Sequence, residues 1–313
     1  MEPTPMAYFK GAFVPLSEAK VSVMTHALHY GTGVFEGIRG NWNADEGKIF
    51  IFRPEDHFAR FLDGCKMLRM NLPIDAKSLV DLSVKLVEQC GYWEDIYIRP
   101  LAYKSAEVVA NLKLHELDDD FTIFALPLGR YLETESVHCV TSGWRRIDET
   151  MIPPRVKISG LYVNSILAKT DAVLAGFDEA LLLNQDGSVA EGTGENLFLV
   201  KNGGLVTPPL YSGILGGITR AALIELAKNE FGISTDERPI GRSELYLADE
   251  LFLCGTAAHV TPVSHVDHRA IGSTSVGPVT KAIQELYFNV IRGLQPKYRH
   301  WCVEVTPPRL SPL

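Results

Sequence analysis

The chain is short of cysteine and carries fewer positive than negative charges, and each shortage excludes a class of protein. Its five cysteines form no CxxC pair, which argues against a disulfide framework or a zinc site and favours a reducing cytoplasm. The 30 lysine and arginine residues form no basic stripe against 38 acidic ones, so no nucleic-acid partner is expected. The nine histidines lack the spacing of metal ligands.

Long apolar runs are also missing. No stretch approaches the ~20 residues that span a bilayer, and the segment MEPTPMAYFKGAF lacks the basic-then-apolar layout of a signal peptide, so no membrane contact is expected. What is present is an ordinary globular composition, 46% hydrophobic and 22% charged, over 313 residues. This length suits two domains of about 150 residues each. The polar segment GRYLETES breaks the pattern, which predicts domains over 1–127 and 137–313 joined by a loop over 128–136.

The apolar pattern predicts an α+β fold with few βαβ units. Helical spacing of apolar residues indicates helices in RPEDHFARFLDGCKMLRM, SLVDLSVKLVEQCG, VNSILAKTDAVLAGFD, ITRAALIELAKNEFG and TKAIQELYFNVIRGL. Strands are expected in AYFKGAFVPL, KIFIFRP, DIYIRPLAY, FTIFALPL and SVHCVTS. The segment EALLLNQDGSVAEGTGENLFLVKNGGLVTPP predicts three short strands.

Three side chains supply one group for each reactive edge of a pyridoxal phosphate ring. Lys157 can hold the aldehyde carbon as a Schiff base, Tyr162 can hydrogen-bond the ring hydroxyl, and Glu191 can keep the ring nitrogen protonated. Two of the three have an alternative interpretation. Lys157 could be a solvated surface lysine, and Glu191 could share a hairpin with Glu195 as two exposed carboxylates.

Two further segments are typical of a phosphate site. In LGGITR, two glycines precede a helix whose first residues are Ile218 and Thr219, and free N–H groups at a helix N-terminus attract phosphate. Thr219 acting only as an N-cap is the alternative. The turn in CGTAAHVTP offers Thr256 and further backbone N–H groups.

Arginine residues of the first half could bind anions. Arg60 lies on an amphipathic helix, where it is either a phosphate clamp or an ordinary ion-paired arginine. Tyr97 and Arg99 stand two positions apart in a predicted strand, so their side chains face the same side. Aimed at a pocket, this pair suits a substrate carboxylate; otherwise it is an ordinary polar strand face.

Taken together, the motifs resemble the fold-type-IV pyridoxal-phosphate transaminases, and most closely the branched-chain amino acid aminotransferases. The resemblance runs from about Ala7 to Ile291 and rests on HALHYGTGVFEGIRG, RPEDHFARF, YIRPL, RVKISGLYVNS, EGTGENLF, GGITR, LYLADELFLCGTAAHVTPV and GPVTKAI. It implies a two-domain fold like that of D-amino acid aminotransferase, with a smaller α/β N-terminal domain and a larger C-terminal domain containing a pseudo-barrel. It also implies at least a homodimer.

The resemblance implies a ping-pong aminotransferase that moves the amino group of leucine, isoleucine or valine to 2-oxoglutarate. Lys157 would be the catalytic base and cofactor anchor. The remaining cofactor contacts would come from Arg60, Tyr162, Glu191, Ile218, Thr219 and Thr256. Substrate would be bound by Tyr30 of a second subunit and by Phe35, Gly37, Tyr97, Arg99, Thr256 and Ala257.

Departures from the family pattern fall around the expected substrate pocket. Leu161 stands where asparagine is usual, AYKSAEVVANLKL replaces a glycine-rich loop, and Leu128 replaces a frequent tryptophan. Arg130 follows in the interdomain loop and is similar to an arginine with which (R)-selective amine transaminases bind a keto acid. An (R)-amine:2-oxo acid transaminase, or an enzyme with both activities, is therefore the main alternative. A D-amino acid transaminase, an aminodeoxychorismate lyase and a cofactor-binding protein without turnover are more distant ones.

Overall fold

A computed structural model describes residues 3–129, 135–273 and 276–308. In these ranges the α-helices are α1 (His26–Tyr30), α2 (Pro54–Met67), α3 (Ala76–Cys90), α4 (Tyr162–Leu174), α5 (Ile218–Phe231), α6 (Arg242–Leu245) and α7 (Pro278–Ile291). The strands are β1 (Met6–Phe9), β2 (Ala12–Pro15), β3 (Gly33–Phe35), β4 (Ile38–Asn43), β5 (Lys48–Phe52), β6 (Ile96–Lys104), β7 (Asp119–Pro127), β8 (Val137–Arg145), β9 (Glu179–Leu183), β10 (Val189–Gly192), β11 (Asn196–Lys201), β12 (Gly204–Thr207), β13 (Thr235–Glu237), β14 (Glu250–Gly255), β15 (His259–Val266), β16 (Arg269–Ala270) and β17 (Cys302–Val305). Each of the helices expected from apolar periodicity is present.

The described residues form two compact units. The first takes those within Met1–Gly129, Val156–Gly160 and Asn289–Leu313, and the second takes the rest. Two segments of the predicted C-terminal domain belong to the first unit instead: Val156–Gly160 and the described residues within Asn289–Leu313. Backbone hydrogen bonds hold both segments there. Phe35 N donates to Lys157 O over 3.0 Å, and β17 pairs with β5. The placement of an interdomain loop at 128–136 remains a prediction.

The first unit is built on an antiparallel sheet in the order β17-β5-β4-β6-β7-β1-β2, with β3 pairing β6. Along β6, Ile96 and Ile98 are buried, while Tyr97 and Arg99 alternate with them on the other face. Helix α3 buries an apolar stripe, and Asp75 caps its first turn by accepting from Ser78 N over 2.8 Å. Because successive side chains of a strand point to opposite faces, β6 sets the direction of the Tyr97 and Arg99 side chains.

The second unit has a mixed sheet in the order β10-β9-β8-β15-β14-β11-β12-β13, with β16 pairing β15. Helix α4 connects the parallel pair β8 and β9, and α5 connects the parallel pair β12 and β13. An apolar core that includes Leu181, Leu197 and Leu253 holds the strands together. The segment predicted to contain three strands contains four, β9 to β12, because the turn within EGTGEN separates β10 from β11. In the part of the chain that is described, no helix is both long and apolar enough to span a bilayer.

Candidate active site

In the first unit, Lys157 lies against the aromatic ring of Phe35. The segment around Lys157 runs antiparallel to β3, since Val34 pairs with Ile158 and Phe35 N bonds Lys157 O. The lysine Nζ lies 5.4 Å from the centroid of the Phe35 ring, and the Arg99 guanidinium carbon lies 4.6 Å from the same centroid. Lys157 is half-buried, so it is not the solvated lysine of the alternative interpretation. One aromatic ring thus contacts both a primary amine and a cation.

Tyr97 and Arg99 share a face of β6, as their alternation predicts. Arg99 Nη2 donates to Tyr97 Oη over 3.1 Å, and the guanidinium also lies 5.1 Å from the Tyr97 ring centroid. Arg99 Nε is buried and has no hydrogen-bond partner among the described residues. A guanidinium with an unused buried donor is suited to binding a carboxylate.

Gly37 allows the Tyr97 hydroxyl to approach the backbone closely. A Cβ atom at this position would lie 1.9 Å from Tyr97 Oη and 2.6 Å from Cζ. Only glycine therefore fits at position 37 with Tyr97 in this orientation. Phe35, Gly37, Tyr97 and Arg99, all predicted to bind substrate, belong to one cluster with Lys157.

Arg60 is held by a buried carboxylate that the sequence analysis did not single out. Glu36 accepts from Arg60 Nε over 2.6 Å and from Nη2 over 2.8 Å, and it also accepts from His57 Nδ1 over 2.8 Å. Burial alone would raise the pKa of Glu36, but Arg60 and His57 hold that pKa well below its usual range. Burial lowers the pKa of His57, which therefore donates as a neutral imidazole. The bidentate bond fixes the plane of the Arg60 guanidinium.

Tyr30 is anchored by the segment that replaces the family's glycine-rich loop. It is the last residue of α1, it is 40% exposed, and its hydroxyl accepts from Ala110 N over 2.9 Å. His26 joins the same two segments, since His26 N donates to Ala106 O and His26 Nε2 lies 2.8 Å from Asn111 O. Because the hydroxyl accepts from Ala110, its own proton remains to be donated to another group.

In the second unit, Glu191 is a buried carboxylate bound by several donors. Arg146 Nη2 lies 2.7 Å from Oε1, while Asn196 Nδ2 and Leu215 N donate to Oε2 over 2.9 and 3.1 Å. Glu191 and Arg146 are 5% and 4% exposed. The alternative of two exposed carboxylates is therefore wrong, because Glu191 and Glu195 are both buried. A buried carboxylate paired with a guanidinium is held in its ionised form.

Glu195, in the same turn, has the opposite environment. It is equally buried, but it accepts only from Gly194 N, over 3.0 Å, among the bonds seen to its carboxyl group. Burial and the nearby carboxylate of Glu179 raise the pKa of Glu195 to about 8. Glu195 is therefore protonated at neutral pH, and of the two carboxyl groups Glu191 is the one suited to pairing with a cation.

Glycine forms the N-cap of α5, at the predicted phosphate segment. Gly217 offers no side chain to the first-turn N–H groups, and a Cβ there would lie 2.0 Å from Asn196 Oδ1. Thr219 is not the N-cap of the alternative interpretation. It lies in the first turn, buried, with its hydroxyl 3.3 Å from Tyr287 Oη. Ile218 and Thr219 thus begin a 14-residue helix whose first N–H groups are suited to an anion.

Three further predicted residues, Thr256, Ala257 and Tyr162, belong to the second unit. Thr256 and Ala257 form the half-buried turn between β14 and β15, and the neighbouring Gly255 packs against Gly194 of the Glu191–Glu195 turn. Tyr162 is half-buried and begins α4. Arg130 lies outside the described residues.

Residues 33–266 match the model of the amino-transferase class IV family. The chain belongs to this family. A probable branched-chain-amino-acid aminotransferase of Aquifex aeolicus is 47% identical to this aminotransferase over 300 residues, 96% of each chain. The crystal structure of a branched-chain aminotransferase from Thermoproteus uzoniensis with norvaline has a TM-score of 0.92 at 41% identity, over 96% of this chain and 99% of that one. A branched-chain amino acid aminotransferase from Thermobaculum terrenum, in its PLP-form, has a TM-score of 0.89 at 38% identity, over 97% and 99%. The family and fold expected from the resemblance are confirmed.

Class IV aminotransferases use pyridoxal phosphate, and the residues of this aminotransferase fit that group. The fit rests on the chemistry of the donors: Lys157 offers an amine, Glu191 an ionised carboxylate, and the glycine-capped start of α5 a set of first-turn N–H groups. Asn196 connects the Glu191 carboxylate to the segment that leads into α5. Its Nδ2 donates to both Glu191 and Leu215 O, and its Oδ1 lies close to Gly217.

Four polar residues of this aminotransferase were missed by the sequence analysis: Glu36, His57, Arg146 and Asn196. Glu36, His57 and Asn196 stand inside the quoted motifs VFEGIRG, RPEDHFARF and EGTGENLF, so their position in a motif was an available signal. Arg146 stands in WRRID beside Arg145, and no local pattern shows that Arg145 is exposed while Arg146 is buried.

Gly37→Ala is expected to raise the KM for amino acid substrates about tenfold, because the new methyl group displaces the Tyr97 hydroxyl. Steady-state kinetics with a branched-chain amino acid measure the effect. Gly143→Ala is the matched control, since a Cβ there contacts nothing within 4 Å. An unchanged KM in Gly37→Ala would show that Tyr97 does not position substrate.

Glu195→Gln is expected to remove a pH-dependent loss of stability. An ordinary glutamate in the unfolded chain titrates near 4.5, whereas the pKa of Glu195 in the fold is raised to about 8. Between these two pKa values the folded state therefore binds more protons than the unfolded state. The free energy of unfolding of the wild type should fall by up to a few kcal/mol as the pH rises through this range. Denaturant unfolding at pH 5.5 and 8 should show a smaller difference in the variant, with near-normal turnover. Glu225→Gln, on the exposed face of α5, should behave as wild type.

Proposed function

We propose that this aminotransferase moves the amino group of leucine, isoleucine or valine to 2-oxoglutarate in a ping-pong reaction. The observation that carries the proposal is the Phe35 ring, which contacts both Lys157 and Arg99. An apolar wall beside the reacting amine suits a branched aliphatic side chain. A cation on the same wall suits the second carboxylate of glutamate. Both substrates of the reaction therefore find a matching surface.

Lys157 has two tasks in this proposal. Pyridoxal phosphate, when bound, supplies an aldehyde that condenses with amines and a cationic ring that accepts electrons. Lys157 Nζ would hold that aldehyde until the substrate amine takes its place. The same Nζ would then be the base that holds and moves the proton of the substrate Cα. Lys157 is thus both the covalent anchor and the general base.

The other predicted residues orient the cofactor and the substrate. Glu191 would hold the ring-nitrogen proton, and Tyr162 would bond the ring hydroxyl. The phosphate would be held by Arg60, Ile218, Thr219 and Thr256. Tyr97, with the backbone of Thr256 and Ala257, would bind the α-carboxylate. The role of Arg130 in a keto-acid contact stays a prediction of the sequence.

A homodimer is part of the proposal, because Tyr30 would act on the substrate of a second subunit. Its support is the apolar surface around α1, where Val23 is 81% and Leu28 is 62% exposed. Beside them lies an apolar hollow of about 360 Å³. Surfaces of this kind are typical of protein interfaces. Sedimentation equilibrium tests the dimer, and a monomer with full activity would contradict it. A cytoplasmic location remains a prediction of the sequence.

Half-reactions test the substrate class. Purified, cofactor-loaded protein is mixed separately with L-leucine, D-leucine and (R)-1-phenylethylamine, and conversion of the cofactor to its pyridoxamine form is followed by absorption. Conversion by L-leucine supports the proposal. Conversion by the (R)-amine alone would identify an (R)-amine transaminase, and no conversion by any amine would identify a binding protein without turnover.

Arg99→Met should separate the two natural substrates. The variant keeps an apolar wall but loses the cation on Phe35, so the half-reaction with glutamate should slow by about 10²-fold. The half-reaction with leucine should change by less than about tenfold. Equal losses for both amino acids would show that Arg99 does not recognise the second carboxylate.

A further inference from the structure

We propose that Arg146 is a positioning residue that keeps Glu191 ionised and aligned, so that the proton shared with the cofactor's ring nitrogen stays on the ring. This inference rests on the proposed role of Glu191. Arg146 directly follows β8 and is 4% exposed, although nothing in the local sequence marks it for burial.

The geometry of Arg146 joins two parts of the second unit. Its Nη2 lies 2.7 Å from Glu191 Oε1, and its Nε donates to Gly213 O over 2.9 Å. Gly213 has a φ of +67°, and Leu215, two residues later, donates its N–H to Glu191 Oε2. The guanidinium therefore holds both the carboxylate and the loop that leads to the N-terminus of α5. Its planar arrangement of donors is suited to holding two acceptors at once.

Glu195 provides an internal comparison for the effect of the charge. Glu191 and Glu195 stand in one turn and are equally buried, at 5% exposed each. Glu195 has no such pairing with a guanidinium among the described residues, and it titrates as a group that holds its proton at neutral pH. Arg146, together with the donors Asn196 Nδ2 and Leu215 N, distinguishes the surroundings of Glu191 from those of Glu195, which lies near the carboxylate of Glu179. Without the guanidinium, burial would favour the protonated form of Glu191 as it does for Glu195.

The position of the shared proton follows from this difference. A proton between a pyridine nitrogen and a carboxylate stays on whichever group binds it more tightly. A buried carboxylate without a cation competes strongly for the proton, and the ring then loses its positive charge. A carboxylate paired with Arg146 competes weakly, so the ring keeps the charge that makes it an electron acceptor.

The test uses the holoenzyme loaded with pyridoxal phosphate labelled with ¹⁵N in the ring. Solid-state ¹⁵N NMR distinguishes a protonated ring nitrogen from an unprotonated one, independently of turnover. Wild type should give the protonated signal, and Glu191→Gln, the positive control, should lose it. Arg146→Gln retains hydrogen-bond donors but not the charge, and it should shift the signal to the unprotonated position. Its kcat should fall about 10²-fold with less change in KM, and its Kd for the cofactor should rise about tenfold.

Arg146→Lys is the variant that retains the positive charge, and it tests the inference if Arg146→Gln does not fold. Its ammonium keeps the positive charge but cannot reproduce the planar contacts to both Glu191 and Gly213. We expect the protonated ring signal together with weaker retention of the cofactor. Loss of the protonated signal in Arg146→Lys would overturn the inference.

Failure of the inference differs from failure of the proposed function. If wild type and Arg146→Gln both show a protonated ring, Arg146 has only a structural role and the inference is wrong, while the function stands. If wild type itself forms no lysine-bound cofactor, the proposed function fails, and the inference fails with it.

Discussion

Lys157→Ala is expected to lower turnover by at least about 10³-fold while the chain still folds and retains the cofactor weakly. The loss follows from the double task that we propose for Nζ, as anchor and base. Folding should survive because the segment is held by its backbone, through the Lys157 O bond to Phe35 N and the bridge of Ile158 to Val34. Single-turnover kinetics with L-leucine measure the loss, and thermal unfolding checks the fold.

Two variants and one chemical trap make this expectation specific. Lys157→Arg keeps a cation at the site but stays protonated at neutral pH, so it should be as inactive as the alanine variant. Lys113→Ala removes an exposed lysine paired with Glu116 and should behave as wild type. Borohydride reduction followed by peptide mapping should label Lys157 in wild type. A label on another residue, or near-normal rates in Lys157→Ala, would falsify the assignment of the anchor.

Glu36→Ala is expected to have the largest effect on stability, about 3–5 kcal/mol. The substitution leaves the buried His57 and the guanidinium of Arg60 without the carboxylate that both contact. Because the pKa of Glu36 is lowered in the fold, this stabilisation is complete at neutral pH and is lost only in acid. Denaturant unfolding at pH 7 measures the change, and cofactor binding should weaken as well, since Arg60 loses its fixed orientation.

The control for Glu36 is a carboxylate whose ion pairs are exposed. Glu304 contacts Lys48 and Arg299 at the surface, and such pairs contribute little to stability. Glu304→Ala should therefore leave the midpoint almost unchanged. Glu36→Gln keeps the shape of the side chain and should be milder than Glu36→Ala. If Glu36→Ala and Glu304→Ala had the same free energy of unfolding, the contacts of Glu36 with His57 and Arg60 would not stabilise the first unit.

Much of the secondary structure was predictable because its signals are local. Helices α2 and α3 combine a strong apolar period with recognisable ends, such as Asp75 at the start of α3 and Gly91 after its end. The shared face of Tyr97 and Arg99 follows from strand alternation alone. Six strands were not predicted: β3, β4, β13, β15, β16 and β17. β3 and β17, for example, are held by pairing with a distant strand rather than by their own pattern.

The polar contacts of the candidate site were much less predictable. Glu191 and Glu195 stand in one turn, and no local pattern in the sequence shows that their surroundings differ. Their difference depends on Arg146, which pairs with Glu191 from 45 positions away in the chain, and on the carboxylate of Glu179, which lies near Glu195. Glu36 likewise depends on contacts with α2 that no local pattern encodes. The roles of these carboxylates therefore depend on contacts between residues that are far apart in the sequence, which a sequence motif does not show.

The pairing of β17 with β5 has a consequence for biosynthesis. The two strands are joined in register from Cys302–Phe52 to Val305–Ile49, so β5 gains this neighbour only after residue 305 has left the ribosome. The sheet of the first unit can begin to form before that point, but it cannot be completed without β17. A nascent chain stalled before residue 302 should therefore expose the β5 edge to proteases and chaperones, and release of the last strand should protect it.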